Sequence, residues 1–161
     1  MQLGIVSDTH DHHRNVRQAV EIFNEHGVQY VLHAGDITSA ATIGLLAGLR
    51  DSKLIAVFGN CDADRASLKT AIEAIGGEVH SDSYQGQLDG KTICMAHKPD
   101  TVGAALDRGT CDLVIHGHTH CQDIRQAGRT LVINPGAANY RGHVVILDTA
   151  DMTTVVESLD S

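Results

Sequence analysis

The chain of 161 residues contains no tryptophan, and aromatic residues make up only 3% of it. A hydrophobic core must therefore consist mainly of Val, Ile, Leu and Ala. Because proteins that hold single-stranded nucleic acid usually stack the bases on aromatic side chains, this shortage argues against that class of protein. The apolar fraction of 42% is ordinary for a globular protein and indicates neither a disordered nor a fibrous chain.

Proline is also scarce, with two residues, and no segment rich in serine and glycine interrupts the chain. Without a linker or an internal repeat, this length predicts a single domain over residues 1–161. A domain of this size buries enough apolar surface to fold without disulfides. The four cysteines contain no C-x-x-C pair, and we expect them to be reduced. They are Cys61, Cys94, Cys111 and Cys121.

Basic residues are in the minority, with 12 Lys and Arg against 20 Asp and Glu, and the formal net charge is −8. Because a protein that binds long nucleic acid needs a basic face, we expect no such partner. A small phosphorylated substrate is compatible with this charge if bound metals reverse it locally. With no signal peptide and no apolar run that could span a bilayer, we expect a cytoplasmic protein without membrane contact. The sequence leaves open whether the chain forms a homo-oligomer.

The first half of the sequence alternates between buried strands and amphipathic helices. Strands are predicted at 3–6, 30–34 and 53–58. Helices are predicted at 14–26, from the cap residue Ser39 to near Arg50, and at 68–75. This strand–helix rhythm favours parallel strand pairing.

The second half contains more strands. A hairpin is predicted for 83–88 and 92–96 across Asp89-Gly90, followed by a helix at 101–108. Further strands are predicted at 113–116, 124–126, 130–133, 143–148 and 153–157. Together the two halves predict an α/β fold in which two packed sheets are flanked by helices.

Polar clusters follow several of the predicted strands, and they contain many of the eleven histidines. The clusters are Asp8-Thr9-His10, Gly35-Asp36, Gly59-Asn60-Cys61-Asp62, Ala96-His97 and Gly117-His118-Thr119-His120. Because ligands bind outside the carboxyl ends of strands in α/β sheets, we expect these clusters to converge. Carboxylate, imidazole and amide groups suit divalent manganese, iron, cobalt, nickel or zinc. A preceding glycine at three of the clusters lets the backbone turn tightly beneath a metal.

The ordered set D-x-H, G-D, G-N-C-D, a lone His and G-H-T-H resembles the calcineurin-like metallophosphoesterase superfamily. Within it, the sequence is similar to the compact phosphodiesterase branch that also contains the retromer subunit Vps29. The resemblance covers residues 8–141. It implies a four-layer αββα sandwich and two divalent metal ions, with Mn²⁺ as the first choice and Ni²⁺, Fe²⁺, Co²⁺ or Zn²⁺ as alternatives.

The resemblance also implies a role for each matching residue. The ligands of the first metal are expected to be Asp8, His10 and His120. The ligands of the second metal are expected to be Asn60, His97 and His118. Asp36 would bridge both ions, and a water or hydroxide shared by them would be the nucleophile. Of these residues, three are also expected to be catalytic: Asp36, Asn60 and His97. The implied reaction is hydrolysis of a phosphodiester or an activated phosphomonoester.

The sequence departs from the superfamily pattern beside the ligands. Cys61 stands where larger members carry a histidine that protonates the leaving group, which favours diesters or good leaving groups here. Lys98 follows His97 where the family often has glycine. Arg141 falls where the family often has an arginine. We expect Cys61 and Arg141 to contact the substrate.

Two other functions remain open at this stage. The first is a non-catalytic, protein-binding scaffold like Vps29, and the second is a nuclease that acts on short or cyclic nucleotides. Because every ligand position carries a competent residue, the sequence favours the enzyme. A thiolate nucleophile at Cys61 is disfavoured because no histidine is paired with it in the sequence. His33 and His116 are expected to support the site or fill the core.

Overall fold

The computed structural model describes residues 1–159, which form eleven strands and four helices. The strands are β1 Gln2–Val6, β2 Tyr30–His33, β3 Lys53–Val57, β4 Glu78–His80, β5 Ser83–Leu88, β6 Lys91–Ala96, β7 Leu113–Ile115, β8 Asp123–Ala127, β9 Thr130–Asn134, β10 His143–Asp148 and β11 Thr153–Ser158. The helices are α1 His13–Glu25, α2 Ala40–Leu46, α3 Arg65–Ala74 and α4 Pro99–Arg108.

The strands form two mixed sheets. The first has the order β11-β10-β1-β2-β3-β4, in which β1 to β4 are parallel and β10 and β11 are antiparallel additions. The second has the order β5-β6-β7-β9-β8, with a parallel centre of β6, β7 and β9. Parallel strands in each sheet end at the same edge, and the polar clusters follow these ends.

Three apolar clusters separate four layers. The cluster between the two sheets contains Leu3 and Ile5 of β1 together with Ile115 of β7. A second cluster packs α1, α2 and α3 on the outer face of the first sheet, and a third packs α4 on the outer face of the second. The layers are therefore helices, sheet, sheet and helix. The predicted αββα sandwich is confirmed.

Most elements lie within two residues of their predicted bounds, and α2 is the main exception because it ends at Leu46 rather than near Arg50. The side chain of Asn24 in α1 explains this end. Its Nδ2 donates to the carbonyl of Gly48 at 3.0 Å, and its Oδ1 accepts from the N–H of Arg50 at 2.8 Å. These bonds satisfy backbone groups outside a helix. Ser39 occupies the N-cap position, but its hydroxyl donates to Asp11 instead of accepting from a helix amide.

Among the short features of the second half, the sequence predicted a tight turn but not a three-residue strand. The Asp89-Gly90 turn has positive φ at both residues, 51° and 74°, as expected for the tight hairpin between β5 and β6. Strand β4 was not predicted, because three residues are too few to show an alternating pattern.

The expectation that every cysteine is reduced is wrong for one pair. Cys94 in β6 and Cys111 before β7 form a disulfide, with Cα atoms 6.2 Å apart. Parallel pairing of β6 with β7 brings the two residues together after the α4 crossover, a separation of 17 residues that no short sequence motif reveals. Cys61 and Cys121 are free thiols. In the described part of the chain, no helix is long and apolar enough to cross a membrane.

Close packing between β1 and α1 predicts a stability effect at Gly4. A Cβ atom at this position would lie 2.6 Å from Cδ1 of the fully buried Phe23 ring. We expect Gly4→Ala to lower the free energy of unfolding by about 1–3 kcal/mol, measured by urea denaturation. The matched control is Gly103→Ala in α4, where a Cβ meets nothing within 4 Å and alanine favours the helix. Equal stability of the Gly4 variant and the wild type would contradict this account of the packing.

Candidate metal centre

The structure brings the seven predicted ligand side chains into one cluster at the carboxyl ends of β1, β2, β3, β6 and β7. Each of them lies within 4.0 Å of at least one other member. The members are Asp8, His10, Asp36, Asn60, His97, His118 and His120. Since the strands come from both sheets, the sandwich itself assembles the cluster.

One half of the cluster surrounds the carboxylate of Asp8. Its Oδ1 lies 3.1 Å from Nε2 of His120 and 3.6 Å from Nε2 of His10. The two imidazole nitrogens are 3.4 Å apart, and Oδ2 of Asp36 lies 3.5 Å from His10. One ligand atom from each of the four residues lies within 4.8 Å of the others. Ligand atoms bound about 2 Å from one ion are spaced by about 3–3.5 Å, so this half fits a divalent cation.

The other half of the cluster surrounds the side-chain oxygen of Asn60. This Oδ1 lies 3.0 Å from Nε2 of His97 and 3.0 Å from Nδ1 of His118. The two imidazole nitrogens are 3.3 Å apart. Oδ2 of Asp36 lies 3.4 Å from Nε2 of His97. The same Asp36 oxygen therefore faces both halves of the cluster.

Three members of the cluster are almost fully buried, and we call them its floor. The floor consists of Asp8, Asp36 and His97, which are 0%, 2% and 3% exposed. Oδ2 of Asp8 accepts from the hydroxyl of Ser7 at 2.6 Å and the N–H of His118 at 3.1 Å. Oδ1 of Asp8 is buried and has no hydrogen-bond partner. Because an unpaired buried carboxylate oxygen is costly, this atom and its imidazole neighbours fit a cation.

Electrostatics couple Asp36 and His97. Burial alone would raise the pKa of the Asp36 carboxyl, but contacts with His97 and the backbone N–H of Cys61 hold this pKa far below its usual range. Burial alone would lower the pKa of His97, but Asp36 and the carbonyl of Ala34 raise it. Asp36 is therefore an ionised carboxylate near neutral pH, the form that binds metals.

A backbone carbonyl on the side away from the cluster sets the orientation of the His97 ring. Its Nδ1 donates to the backbone carbonyl of Ala34 at 2.8 Å. Because a carbonyl only accepts, this bond places a proton on Nδ1 and turns Nε2 towards the cluster. Metal-binding histidines are commonly oriented in this way by a backbone carbonyl or a carboxylate.

The backbone under the cluster is unusual, because five of the seven residues have positive φ. The values are 53° for Asp8, 41° for His10, 58° for Asp36, 68° for His118 and 59° for His120. Asp and His tolerate this left-handed region better than most residues other than glycine. Backbone strain of this kind concentrates at functional sites, where the surrounding structure maintains it.

A model of the calcineurin-like phosphoesterase superfamily domain matches residues 1–152. The chain belongs to this superfamily. A phosphodiesterase of Methanocaldococcus jannaschii is 38% identical over 139 residues, which are 84% of this phosphoesterase and 83% of that protein. The comparison, together with the candidate metal centre, makes the chain a metal-dependent phosphoesterase.

A solved structure supports the same family assignment, and a second shares the fold. The structure of an archaeal phosphodiesterase superposes with a TM-score of 0.92 at 34% identity and covers 99% of this phosphoesterase and 100% of that chain. A Vps29 mutant from Entamoeba histolytica shares the fold, with a TM-score of 0.71 at 18% identity and coverage of 100% and 99%. The second likeness concerns the fold alone.

The two residues predicted to contact substrate lie at different places in the phosphoesterase. Cys61 is exposed beside the cluster, where its N–H donates to Oδ1 of Asp36 at 2.8 Å. Desolvation of the thiol by its neighbours and the negative charge of Asp36 raise the pKa of Cys61, which further disfavours a thiolate nucleophile. Arg141 is exposed, with its guanidinium 5.4 Å from the ring centre of Tyr140. Its contact with substrate stays a prediction.

His33 lies behind the floor of the site, as expected for a supporting histidine. Burial lowers its pKa to about 4, so the ring is neutral at physiological pH. Its Nδ1 accepts from the N–H of Gly35, so the proton is on Nε2, which lies 3.2 Å from the hydroxyl of Thr9. That hydroxyl donates to the carbonyl of Asp36 at 3.3 Å. His33 therefore links the loops after β1 and β2.

Asp62 is the supporting residue that the sequence did not reveal. It is 3% exposed, and its Oδ2 accepts from the N–H groups of Gly59 at 2.7 Å and Asp36 at 3.0 Å. Its Oδ1 accepts from the N–H of Thr38 at 2.7 Å, where φ is 77°. Asp62 therefore fixes the loops after β2 and β3 against each other. Its position in G-N-C-D is the one available sequence signal.

A second supporting residue, Asn134 at the end of β9, holds the loop that carries His118 and His120. Its Nδ2 donates to the hydroxyl of Thr119 at 2.8 Å and to the carbonyl of Gly117 at 3.3 Å. The amide therefore fixes the G-H-T-H turn from below.

The three bonds to Asp62 predict a specific defect. In Asp62→Asn the amide cannot accept all three N–H groups, so at least one of them is left unpaired. We expect the free energy of unfolding to fall by about 1–3 kcal/mol. We also expect metal affinity to weaken by about 10–100-fold, measured by metal titration calorimetry, because Asp36 loses its support.

The matched control for this prediction is Asp64→Asn. Asp64 accepts from the N–H of Ser67 at the start of α3, and asparagine caps a helix equally well. Unchanged metal affinity in Asp62→Asn would show that the loops hold their position without this carboxylate.

Proposed function

We propose that this phosphoesterase hydrolyses phosphodiesters, or phosphomonoesters with good leaving groups, through two divalent cations. The position of Asp36 carries the proposal, because its Oδ2 faces both a His10 nitrogen at 3.5 Å and a His97 nitrogen at 3.4 Å. A single carboxylate that faces two sets of ligands is the arrangement expected for a bridging ligand in a two-metal site.

In this proposal each half of the cluster holds one ion. The first ion would be held by Asp8, His10 and His120. The second ion would be held by Asn60, His97 and His118. The bound cations would lower the pKa of a water molecule and neutralise charge that develops on the phosphoryl oxygens. The mixed nitrogen and oxygen ligands suit Mn²⁺ first, and Ni²⁺, Fe²⁺, Co²⁺ or Zn²⁺ as alternatives.

The substrate class follows from what surrounds the metals. Cys61 occupies the position of the histidine that protonates the leaving group in larger relatives, and the pKa of its thiol is raised. Without that acid, the reaction depends on a leaving group that departs readily. The phosphodiesterase of M. jannaschii, at 38% identity, supports a small diester as the substrate. We further propose that the chain acts in the cytoplasm on a small phosphorylated molecule.

The proposed reaction predicts strict dependence on metal and on Asp36. Metal-free protein is expected to be inactive towards bis(4-nitrophenyl) phosphate, and Mn²⁺ or Ni²⁺ is expected to restore turnover. Asp36→Asn should lower kcat/KM at least about 100-fold, because both ions lose a charged ligand. The control is Asp107→Asn, which changes an exposed carboxylate in α4. Metal-dependent turnover that survives Asp36→Asn would overturn the proposal.

Metal stoichiometry tests the two-ion arrangement separately. We expect two tightly held ions per chain in the wild type and one in His118→Ala, measured by elemental analysis after excess metal is removed. His26→Ala, which changes an exposed histidine outside the cluster, should retain two. A single ion in the wild type would exclude the bridging role of Asp36. An inability to bind metal, together with no hydrolysis, would instead favour the scaffold function.

A further inference from the structure

A pocket of about 190 Å³ opens beside the second half of the metal centre. Asn60 and His97 form the wall that it shares with the metal centre. The remaining wall includes Phe58, Arg65, Asp82 and Lys98. We call this cavity the lateral pocket. The pocket adjoins two proposed metal ligands. A substrate phosphate held at the metal centre would therefore direct one of its ester substituents towards the pocket.

The lateral pocket contains two cations and one carboxylate, in a chain whose formal net charge is −8. Among the described residues, neither Arg65 nor Lys98 forms an ion pair, and Asp82 is more than 4.0 Å from both cationic groups. Unpaired cations beside a metal centre are unexpected on an acidic surface. Among the residues that line the pocket, the two cations outnumber the one carboxylate, Asp82, which favours an anionic ligand.

Arg65 is exposed in the pocket wall, where several long contacts orient its guanidinium. Its guanidinium lies 5.1 Å from the ring centre of Phe58. Its N–H groups donate to the backbone carbonyls of Asp62 at 3.4 Å, and of Gly59 and Ser81 at 3.5 Å. These contacts neutralise none of its charge. They restrict the side chain in part, which lowers the entropy cost of ordering it around a ligand.

Lys98 has a different setting, because it is exposed at the N-cap position of α4, directly after His97. Its backbone is extended, with φ −90° and ψ 135°, and no side-chain cap bond is made there. Its ammonium group is therefore not committed to the helix end. It completes the pocket wall from the second sheet, opposite the loop that follows β3.

We propose that the lateral pocket binds an anionic group, a carboxylate or a phosphate, on one ester substituent of the substrate. The inference rests on the proposed function, since the phosphate at the metal centre directs the substituent into the pocket. Arg65 and Lys98 act as specificity residues that select substrates with a second negative charge. Asp82 provides an acceptor for a hydroxyl on the same substituent.

The test uses two matched phosphonates whose carbon–phosphorus bond resists hydrolysis. Binding of 2-carboxyethylphosphonate and propylphosphonate to Mn²⁺-loaded protein is measured by calorimetry. We expect the carboxylate compound to bind about fivefold more tightly, the size expected for a partly exposed ion pair. Lys98→Gln should reduce this ratio towards one, and Lys98→Arg should restore it. The matched control is Lys91→Gln at the opposite end of β6, which should leave the ratio unchanged.

The outcomes distinguish failure of the pocket from failure of the reaction. Equal affinities of the two phosphonates for the wild type would overturn the pocket proposal. A ratio that persists in Lys98→Gln would also overturn it, because chelation of the metal by the carboxylate would then explain the preference. Hydrolysis of bis(4-nitrophenyl) phosphate by the same samples leaves the proposed function standing in that case. If the protein neither hydrolyses the diester nor binds either phosphonate, both proposals are wrong.

Discussion

Two carboxylates, Asp8 and Asp36, are buried side by side at the junction of the two sheets, and the site is organised around them. The charge partners that approach them within 4.0 Å are imidazoles: His10, His97 and His120. Removing two negative charges from water is expensive unless cations compensate them. A metal pair would provide that compensation. In that case the same burial would strengthen metal binding and make the stability of the floor depend on the bound ions.

The architecture supplies the rigidity that such a floor requires. Parallel strands from both sheets end at one edge, and buried side chains connect the loops that follow them. Asp62 joins the loops after β2 and β3, His33 joins those after β1 and β2, and Asn134 holds the turn after β7. Asp62 bonds to backbone N–H groups, whereas His33 and Asn134 act partly through the hydroxyls of Thr9 and Thr119. The positions of the candidate ligands therefore depend on buried side chains outside the cluster.

The sequence predicted the sandwich and the convergence of the seven candidate ligand residues because both depend on local signals. Apolar periodicity indicates strands and helices, and Asp8 and His118 lie two and three residues after the ends of β1 and β7. The missed features depend on partners distant in the chain. The pairing of Cys94 with Cys111 requires the α4 crossover, and the early end of α2 requires Asn24 from another helix. The three bonds of Asp62 appear only after the loops are assembled.

Five residues of the cluster have a left-handed backbone conformation, which costs stability, while their side chains serve the site. Most non-glycine residues in that region raise the energy of the folded state by about 1–2 kcal/mol, although Asp and His tolerate it better. Glycine would relieve this cost at Asp8, His10 or His120, yet it would remove the side chain. At these positions the side chain and the relaxed backbone exclude each other. Natural proteins retain such costly positions where activity, and not thermal endurance, determines which sequences survive.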